Sequence, residues 1–294
     1  MQKKPNWYDK HYKLTMIIPL ALLLFSLFYL INFTSKNGDV IYKDVSLTGG
    51  TTVTILDNRV NINDLEASLK AQFSDVALRK ISDLRTGSQK GIIIETKSSA
   101  EDTKAALEKY LGYNLTQDNS STEFSGSALS TGFYKQLRLA IILAFTFMAI
   151  VVFFVFRTFV PSFAVILSAF ADIIMTITIV DLFRMYVSLA GIIAFLMLIG
   201  YSVDTDILLT SRLLKRGDET MNKAIYGAFK TGMTMTLTAI ASISVSLILI
   251  YHFSDVLRQI FTILLIGLGF DILNTWLTNA PLLRWYLDAK ESKK

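Results

Sequence analysis

Six long apolar segments constrain this chain more than any other feature. A segment of about 20 apolar residues crosses the ~30 Å hydrocarbon core of a bilayer, and it must be helical if its backbone groups are to be paired there. A mean hydropathy of +0.46 fits such a protein. We predict a polytopic α-helical membrane protein with six transmembrane helices, at 14–33 and at about 137–156, 160–180, 187–210, 229–250 and 258–280.

The first segment, "LTMIIPLALLLFSLFYLINF", is expected to stay in the membrane. It is longer than the apolar core of a signal peptide, and no small-x-small cleavage pattern follows it. The remaining boundaries give an N-terminal stretch at 1–13, a large loop domain at 34–134, helices 2–6 within 135–280, and a C-terminal tail at 281–294.

The distribution of lysine and arginine predicts the orientation. Short loops rich in these residues stay in the cytoplasm, so both termini are predicted to be cytoplasmic and residues 34–134 extracytoplasmic, in the cytoplasmic membrane. The loop domain is slightly acidic, which argues against nucleic acid as a partner. The side carrying the termini holds Lys3, Lys4, Lys10, Lys13, Arg157, Arg212, Lys215, Arg216, Lys223, Lys230, Arg284, Lys290, Lys293 and Lys294, and the other side holds Lys135, Arg138, Arg184 and Arg258.

The loop domain is predicted to be an α+β, ferredoxin-like unit. Its pattern is β-α-β-β-α-β, with a strand in 45–56, a helix at 61–74 capped by Asn63, and a helix at 99–113 ending near Gly112. The other strands lie in "VALRKIS", "GIIIETK" and "STEFSGSAL", and "DLRTGSQK" is a turn. We interpret "SGSALSTG" at 125–132 as a connecting loop or a hinge.

Four carboxylates lie inside the predicted spans: Asp172, Asp204, Asp206 and Asp271. Ionisable residues at membrane depth are rare, and many form proton or ion pathways. Structural roles, such as capping backbone groups or pairing with a cation, remain an alternative, particularly for Asp172 and Asp271. We predict a functional role for Asp204 and Asp206, because two acids in one turn are difficult to explain by packing.

Asp204 and Asp206 are separated by about 200° around an ideal helix. We therefore expect one of them to face the interior and the other to face a neighbouring helix or a partner subunit. Asp204 shares its face with Gly200, whose small size allows a helix to approach closely. Asp206 shares its face with Ser202, which we also predict to support helix packing.

The fifth span contributes basic and hydroxyl side chains. Lys230 begins a polar stripe that continues through Thr231, Thr234, Thr238 and Ser242. The stripe is typical of helix packing through hydroxyl groups, and lining a proton path is the alternative. Lys230 and the Arg212 cluster also fit a simple role at the membrane surface, or contact with anionic lipids. The candidate ion-coupling residues are thus Asp204, Asp206, Lys230, Thr231, Arg212, Asp172 and Asp271.

Motifs of soluble enzymes are missing from the sequence. There is no P-loop, dinucleotide fingerprint or nucleophile elbow. The chain has no cysteine and only two histidines, His11 and His252, so no metal site and no cofactor is predicted. We predict a protein that is not an enzyme.

Three stretches resemble the SecF group of the SecD/SecF family. They are "LTGGTTV" after the first span, "SGSALSTGFYKQ" before the second, and "IGYSVDTDILLTSRLLK" in the fourth. The resemblance covers nearly the whole chain and includes the family motif residues Leu47, Thr48, Gly49, Gly50 and Thr51. The family is similar to half of a resistance–nodulation–division transporter, and Gly200 and Asp204 match the Gly-x-x-x-Asp spacing of that superfamily.

This resemblance implies a subunit that assists protein export. The implied partners are a SecD-like subunit, a SecY-type channel, translocating polypeptides and membrane lipids, with the proton-motive force as the energy source. "GYSVDTD" resembles an archaeal variant, in which acids flank the usual aspartate position, and Lys230-Thr231 stands where bacterial members tend to have Arg-Thr. The alternatives are half of a small-molecule or lipid exporter, and an assembly factor of the channel.

Overall fold

A computed structural model describes residues 7–73, 76–82, 88–251 and 254–292. Six of its helices are long and apolar enough to span a membrane, which confirms the predicted fold class. Lys3, Lys4, His252, Lys293 and Lys294 lie outside the described residues. The helices are α1 Trp7–Thr15, α2 Ile17–Asn37, α3 Val45–Thr48, α4 Ile62–Lys70, α5 Ala100–Leu111, α6 Ser127–Phe156, α7 Phe159–Leu182, α8 Leu189–Leu214, α9 Met221–Ile250, α10 Asp255–Asn274, a π-helical turn Thr275–Asn279, and α11 Ala280–Glu291.

Helices α7, α8 and α10 form the centre of the membrane bundle. About 61% and 56% of the most apolar stretches of α7 and α8 are buried, against 6% for α6 and for α9. Half of the buried residues of α7 are serine, alanine or threonine, and such small residues let neighbouring helices approach closely. The peripheral helices α6 and α9 leave most of their apolar surface for lipid or a partner.

Two helices of the membrane part extend beyond the predicted spans. Helix α6 already begins at Ser127, so most of 125–132 is helix rather than loop. Ser130 and Tyr134 are buried there, and this packing outweighs the loop-like composition of the segment. The helix of the sixth predicted span continues past 280, through the π-helical turn and α11, to Glu291.

The domain between the first two spans has the predicted ferredoxin-like fold. Its strands are β1 Gly50–Ile55, β2 Val76–Ser82, β3 Gln89–Thr96 and β4 Ser120–Ser125, in the order β2-β3-β1-β4. All neighbours are antiparallel, and Val53 pairs with Ile94 and with Thr122. A core that includes Leu65 and Leu107 joins α4 and α5 to this sheet.

Two local predictions in this domain are also corrected. Residues 45–48 form the helix α3 and not a strand, because the Asp44 carboxylate accepts a hydrogen bond from the Val45 backbone N–H and caps it. Asn61, rather than Asn63, caps α4. Gly112 ends α5 in the left-handed conformation, as predicted. Of the predicted turn at 83–90, residues 83–87 lie outside the described residues.

Candidate functional site

Three carboxylates from three different helices lie inside the membrane bundle. Asp172 on α7, Asp206 on α8 and Asp271 on α10 are each no more than 1% exposed. Their helices are the three central ones, which pack against one another. Burying three acids is costly unless each one is protonated, hydrogen-bonded or paired, so their partners determine what this cluster can do.

Asp172 accepts hydrogen bonds from two helices. Ser202 on α8 donates its hydroxyl to one carboxylate oxygen, and Asn274 at the end of α10 donates its amide to the other at 2.7 Å. Ser202, predicted to support helix packing, is buried and is also a direct hydrogen-bonding partner of Asp172.

Asp206 is held by the π-helical turn. Thr275 donates its hydroxyl to Asp206 Oδ1 at 2.9 Å, and Asn279 donates its amide to the same oxygen at 2.7 Å. The Thr275 hydroxyl also lies 3.3 Å from Asp271 Oδ1. The turn therefore links two of the three carboxylates.

The π-helical geometry makes this arrangement possible. In an α-helix, residues five apart point about 140° away from each other. The i→i+5 bond from the Ala280 N–H to the Thr275 carbonyl widens the turn, so that Asn274 and Asn279 can both reach the cluster. Such π-helical turns are frequent at functional sites.

Several oxygens of the cluster have no hydrogen-bonding partner among the described residues. They are one carboxylate oxygen of Asp206, one of Asp271, and the side-chain carbonyls of Asn274 and Asn279. None of the three carboxylates forms an ion pair within this part of the chain. Buried acceptors without donors can take up protons or a cation, which is the chemistry that ion coupling needs.

Asp204 lies apart from this cluster. It is exposed on the side of α8 and has no ion pair among the described residues. Gly200, one turn earlier, is also exposed, and a Cβ atom there would meet nothing within 4 Å. The face carrying Gly200 and Asp204 is therefore open in this chain.

The basic candidates do not reach the cluster either. Lys230, Thr231 and Arg212 are exposed. Arg212 lies over Gly227, where an added Cβ would be 2.8 Å from the guanidinium carbon, and its Nη1 is 3.5 Å from the Thr231 hydroxyl. These three residues form a separate group near the N-terminal part of α9.

The hydroxyl stripe on α9 points outward. Thr231, Thr234 and Thr238 donate to carbonyl groups of their own helix at 2.8–3.1 Å. The hydroxyl contact between α8 and α9 lies on another face, where Thr205 and Thr236 are 3.4 Å apart. Apart from the contact of Thr231 with Arg212, the helix packing that the stripe predicts is not seen among the described residues.

The motif Leu47–Thr51 forms a tight junction between the membrane part and the loop domain. Leu47 is buried against residues of α6, α7 and α8, and the Thr51 hydroxyl donates to the Ser98 carbonyl at 2.7 Å. Gly49 and Gly50 have φ angles of +83° and +144°. Added Cβ atoms would clash with the backbone of α6 and of β3, so these glycines fit where other residues would not.

An acidic group outside the spans lies beside this junction. Asp39 accepts hydrogen bonds from Tyr134 at 2.6 Å and from Lys43 at 3.0 Å. Burial by itself would raise the pKa of Asp39, but these donors outweigh it and hold the pKa below its ordinary value. Asp39 therefore stays charged and anchors the chain where it leaves the first span.

The sequence interpretation missed Asn274, Thr275, Asn279 and Asp181. The stretch "DILNTWLTN" carries neutral polar residues at helical spacing within an apolar span, and that spacing was the available signal. Asp181 lies one residue past the predicted end of the third span and is 1% exposed. The Tyr42 backbone N–H faces its carboxylate without meeting hydrogen-bond geometry.

More than half of the chain matches the model of a known protein family. Residues 105–289 match the family model "Protein export membrane protein SecD/SecF, C-terminal". The chain is 40% identical to the protein-export membrane protein SecF of Methanocaldococcus jannaschii over 290 residues, which cover 97% of this chain and 99% of the relative. It is 38% identical to the SecF protein of Methanothermobacter thermautotrophicus, over 96% and 94% of the two chains.

Two solved structures share the fold. The crystal structure of SecDF, a translocon-associated membrane protein from Thermus thermophilus, matches 97% of this chain with a TM-score of 0.74 and 15% identity. A SecDF structure in a super-membrane-facing form matches with a TM-score of 0.57, also at 15% identity. The chain spans only 39% and 40% of the lengths of these two SecDF chains.

Proposed function

This chain belongs to the SecD/SecF family of protein-export membrane proteins, as a SecF-type member, and from that premise we propose that it couples ion movement to protein export. It is an auxiliary subunit of the Sec machinery in the cytoplasmic membrane. Its relatives are named as protein-export membrane proteins and not as enzymes, which supports a transport role over a catalytic one.

The observation that carries the proposal is the cluster of Asp172, Asp206 and Asp271. Three carboxylates from three central helices accept hydrogen bonds from neighbouring polar side chains, and two of them, Asp206 and Asp271, share Thr275. No basic side chain pairs with them in the described part of the chain. Their oxygens bind and release protons, or a small cation, as the proton-motive force drives ions through the bundle. The potential itself supplies about 2.3 kcal/mol per charge for each 100 mV.

The second part of the proposal concerns the partner. The chain spans 39% of the SecDF chain that shares its fold, so a SecD-like subunit is the natural complement. The exposed residues Gly200 and Asp204 on α8, and Lys230 and Thr231 on α9, bind that subunit, which covers charges that would otherwise face lipid at high cost. A SecY-type channel and translocating polypeptides are further partners, with both termini cytoplasmic and residues 34–134 extracytoplasmic.

Protein secretion in cells that depend on this chain tests the proposal. We compare Asp206→Asn, which keeps size and hydrogen-bonding shape but removes the titratable group, with Asp218→Asn, an exposed acid far from the cluster. Assembly with the SecD-like subunit is measured in parallel by co-purification. We expect Asp206→Asn to abolish the contribution of the chain to secretion while the complex stays intact, and Asp218→Asn to behave like the wild type.

Each alternative has its own outcome. Normal secretion in Asp206→Asn, Asp172→Asn and Asp271→Asn would mean that the cluster is structural and the chain an assembly factor. Intact secretion together with ion-dependent efflux of a small molecule would indicate the exporter. The family to which the chain belongs favours protein export over export of a small molecule.

A further inference from the structure

We propose that Gln259 is the positioning residue through which the membrane bundle moves the extracytoplasmic domain. This inference rests on the proposed function, because it explains how a change at the buried carboxylates reaches the ferredoxin-like sheet. Gln259 lies in the second turn of α10, at the outer end of the helix that carries Asp271.

The first observation is a short backbone pairing between two connecting segments. The Val187 N–H donates to the Tyr42 carbonyl at 2.7 Å, and the Asp44 N–H donates to the Val187 carbonyl at 3.0 Å. One segment, 42–44, follows the first span and leads into the extracytoplasmic domain. The other, 183–188, joins α7 to α8, so the domain is attached to the loop between two carboxylate-bearing helices.

Gln259 fastens that loop to α10. Its side-chain carbonyl accepts hydrogen bonds from the Ser188 backbone N–H at 3.1 Å and from the Ser188 hydroxyl, and its amide donates to the Tyr186 carbonyl. The residue thereby binds both sides of Val187. All the polar atoms of one side chain are used on a single loop, an arrangement that fixes the position of the loop relative to α10.

The absence of a side chain at Gly191 leaves the space that the Gln259 side chain occupies. Gly191, in the first turn of α8, faces Gln259 so closely that an added Cβ would lie 2.8 Å from its Oε1 atom and 2.7 Å from a Val187 methyl group. Any larger residue at position 191 would push the Gln259 side chain out of its present position. Glycine here therefore preserves the contact between α8, α10 and the loop.

Beyond the loop, the connection continues into the sheet. The Asp44 carboxylate binds Arg79 of β2 at 2.6 Å, and Arg79 binds Glu95 of β3 at 3.0 Å. Asp44 and Glu95 are both buried, where charged hydrogen bonds are strong and directional. An unbroken series of hydrogen bonds thus runs from α10 through the loop and the linker to two strands.

This series of hydrogen bonds transmits a movement of the helices to the ferredoxin-like sheet. Gln259 precedes Asp271 by twelve residues, or about 18 Å of helix. Packed helices shift as rigid bodies rather than bending continuously, so a displacement of α10 against α7 and α8 at the carboxylates also displaces Gln259. The loop, the linker and the sheet then follow.

Distance measurements between two labels test the proposal. The chain contains no cysteine, so labels can be attached to Lys109→Cys on α5 and Leu249→Cys on α9, both of which replace exposed residues. The chain is studied in its complex with the SecD-like subunit in lipid nanodiscs. Pulsed electron spin resonance then records the distance distribution at acidic and alkaline pH, each with and without sodium.

We expect the wild-type distance to change with the ion conditions. Gln259→Ala removes at least half of that change without dissociating the complex, and Gly191→Ala has the same effect although it deletes no hydrogen-bonding group. Gln259→Glu keeps the acceptor for Ser188 and restores part of the response. Thr262→Ala, one turn along α10, is the matched control, because the Thr262 hydroxyl donates to the carbonyl of Arg258 in its own helix, and it retains the full response.

The outcomes separate this inference from the proposed function. If the wild type responds, Asp206→Asn abolishes the response, and Gln259→Ala and Gly191→Ala both retain it, then only the role of Gln259 is overturned. If Asp206→Asn still responds, the carboxylate cluster is not the ion site and the proposed function fails. A wild-type complex that shows no response under any condition overturns both.

Discussion

Replacing Gly49 by alanine should loosen the junction between the membrane bundle and the ferredoxin-like domain. Gly49 has φ of +83° and ψ of +161°, a region that is essentially restricted to glycine and costs other residues about 1–3 kcal/mol. An added Cβ would also lie 2.5 Å from Ser127 Cα and 2.7 Å from Ser127 N. These are backbone atoms at the start of α6, so a side-chain rotation cannot relieve the clash.

The size of the effect follows from these two terms. Overpacking of a tight site typically costs about 1–3 kcal/mol. Added to the backbone strain of about 1–3 kcal/mol, this gives an expected destabilisation of about 2–6 kcal/mol for Gly49→Ala. Gly112→Ala is the matched control in the same domain, because Gly112 has φ of +75° but no atom within 4 Å of an added Cβ. Its cost should be limited to the backbone term at a helix end, about 1 kcal/mol.

Native-state hydrogen exchange of the full chain in nanodiscs measures both variants. Since about 1.4 kcal/mol corresponds to a factor of ten, we expect amides of β1 and of the first turns of α6 to lose about 30-fold or more of their protection in Gly49→Ala. The control should lose about fivefold, confined to α5 and its neighbours. Equal losses in the two variants, or a loss in Gly49→Ala that spares α6, would refute the reasoning.

Two further predictions concern the ferredoxin-like domain and the helix bundle. The pKa of Asp57 is lowered mainly by the backbone N–H of Arg59 and then by the hydroxyl of Tyr113, against the opposing effect of burial. Asp57 therefore stabilises the folded domain at pH values above its ordinary pKa. This contribution is lost as the pH falls through the lowered pKa. Proteolysis of the domain across acidic pH should show this loss in the wild type and not in Asp57→Asn. In the bundle, a Cβ at Gly267 would lie 2.4 Å from both terminal carbons of the fully buried Leu198, so Gly267→Ala should destabilise the chain by about 1–3 kcal/mol. Thermal unfolding should show a partial recovery in the double variant with Leu198→Ala, and additive losses would contradict a direct clash.

The features that the sequence predicts well are those with a strong energetic signal. Apolar segments of membrane-spanning length leave few structural choices, and the alternation of buried residues from Thr51 to Ile55 in β1 marks a sheet with one covered face. The acids Asp172, Asp206 and Asp271 were also noticed, because a charge at membrane depth demands an explanation.

The features that the sequence hides depend on tertiary contacts. Neutral polar residues in an apolar span give a weaker sequence signal than acids do, and this applies to Asn274, Thr275 and Asn279. The π-helical turn that directs these residues inward has no simple sequence pattern. The helix α3 forms because Asp44 is held by Arg79 and by the loop at Val187, which are contacts far away in the chain. The relation between Gly191 and Gln259 is of the same kind, since it involves two helices.

The exposed face of α8 allows a final prediction, which separates a partner surface from a lipid surface. Gly200 lies in open space, so Gly200→Leu should change the stability of the isolated chain by no more than about 0.5 kcal/mol through contacts, and it should gain slightly in helix propensity. If the SecD-like subunit packs closely at this point, the same leucine keeps the helices apart, and co-purification of that subunit should fall sharply.

Gly269→Leu is the matched control for this variant. Gly269 also lies on a central helix, α10, is exposed and has nothing within 4 Å of an added Cβ, so a general effect of a bulky residue at membrane depth would appear in both variants. A defect restricted to Gly200→Leu would assign the Asp204 face to the partner, and it would leave Asp206, on the opposite face of the same helix, to act within this chain. Undiminished co-purification of Gly200→Leu would instead mean that lipid covers this face, and Asp204 would then need a different neighbour to offset its charge.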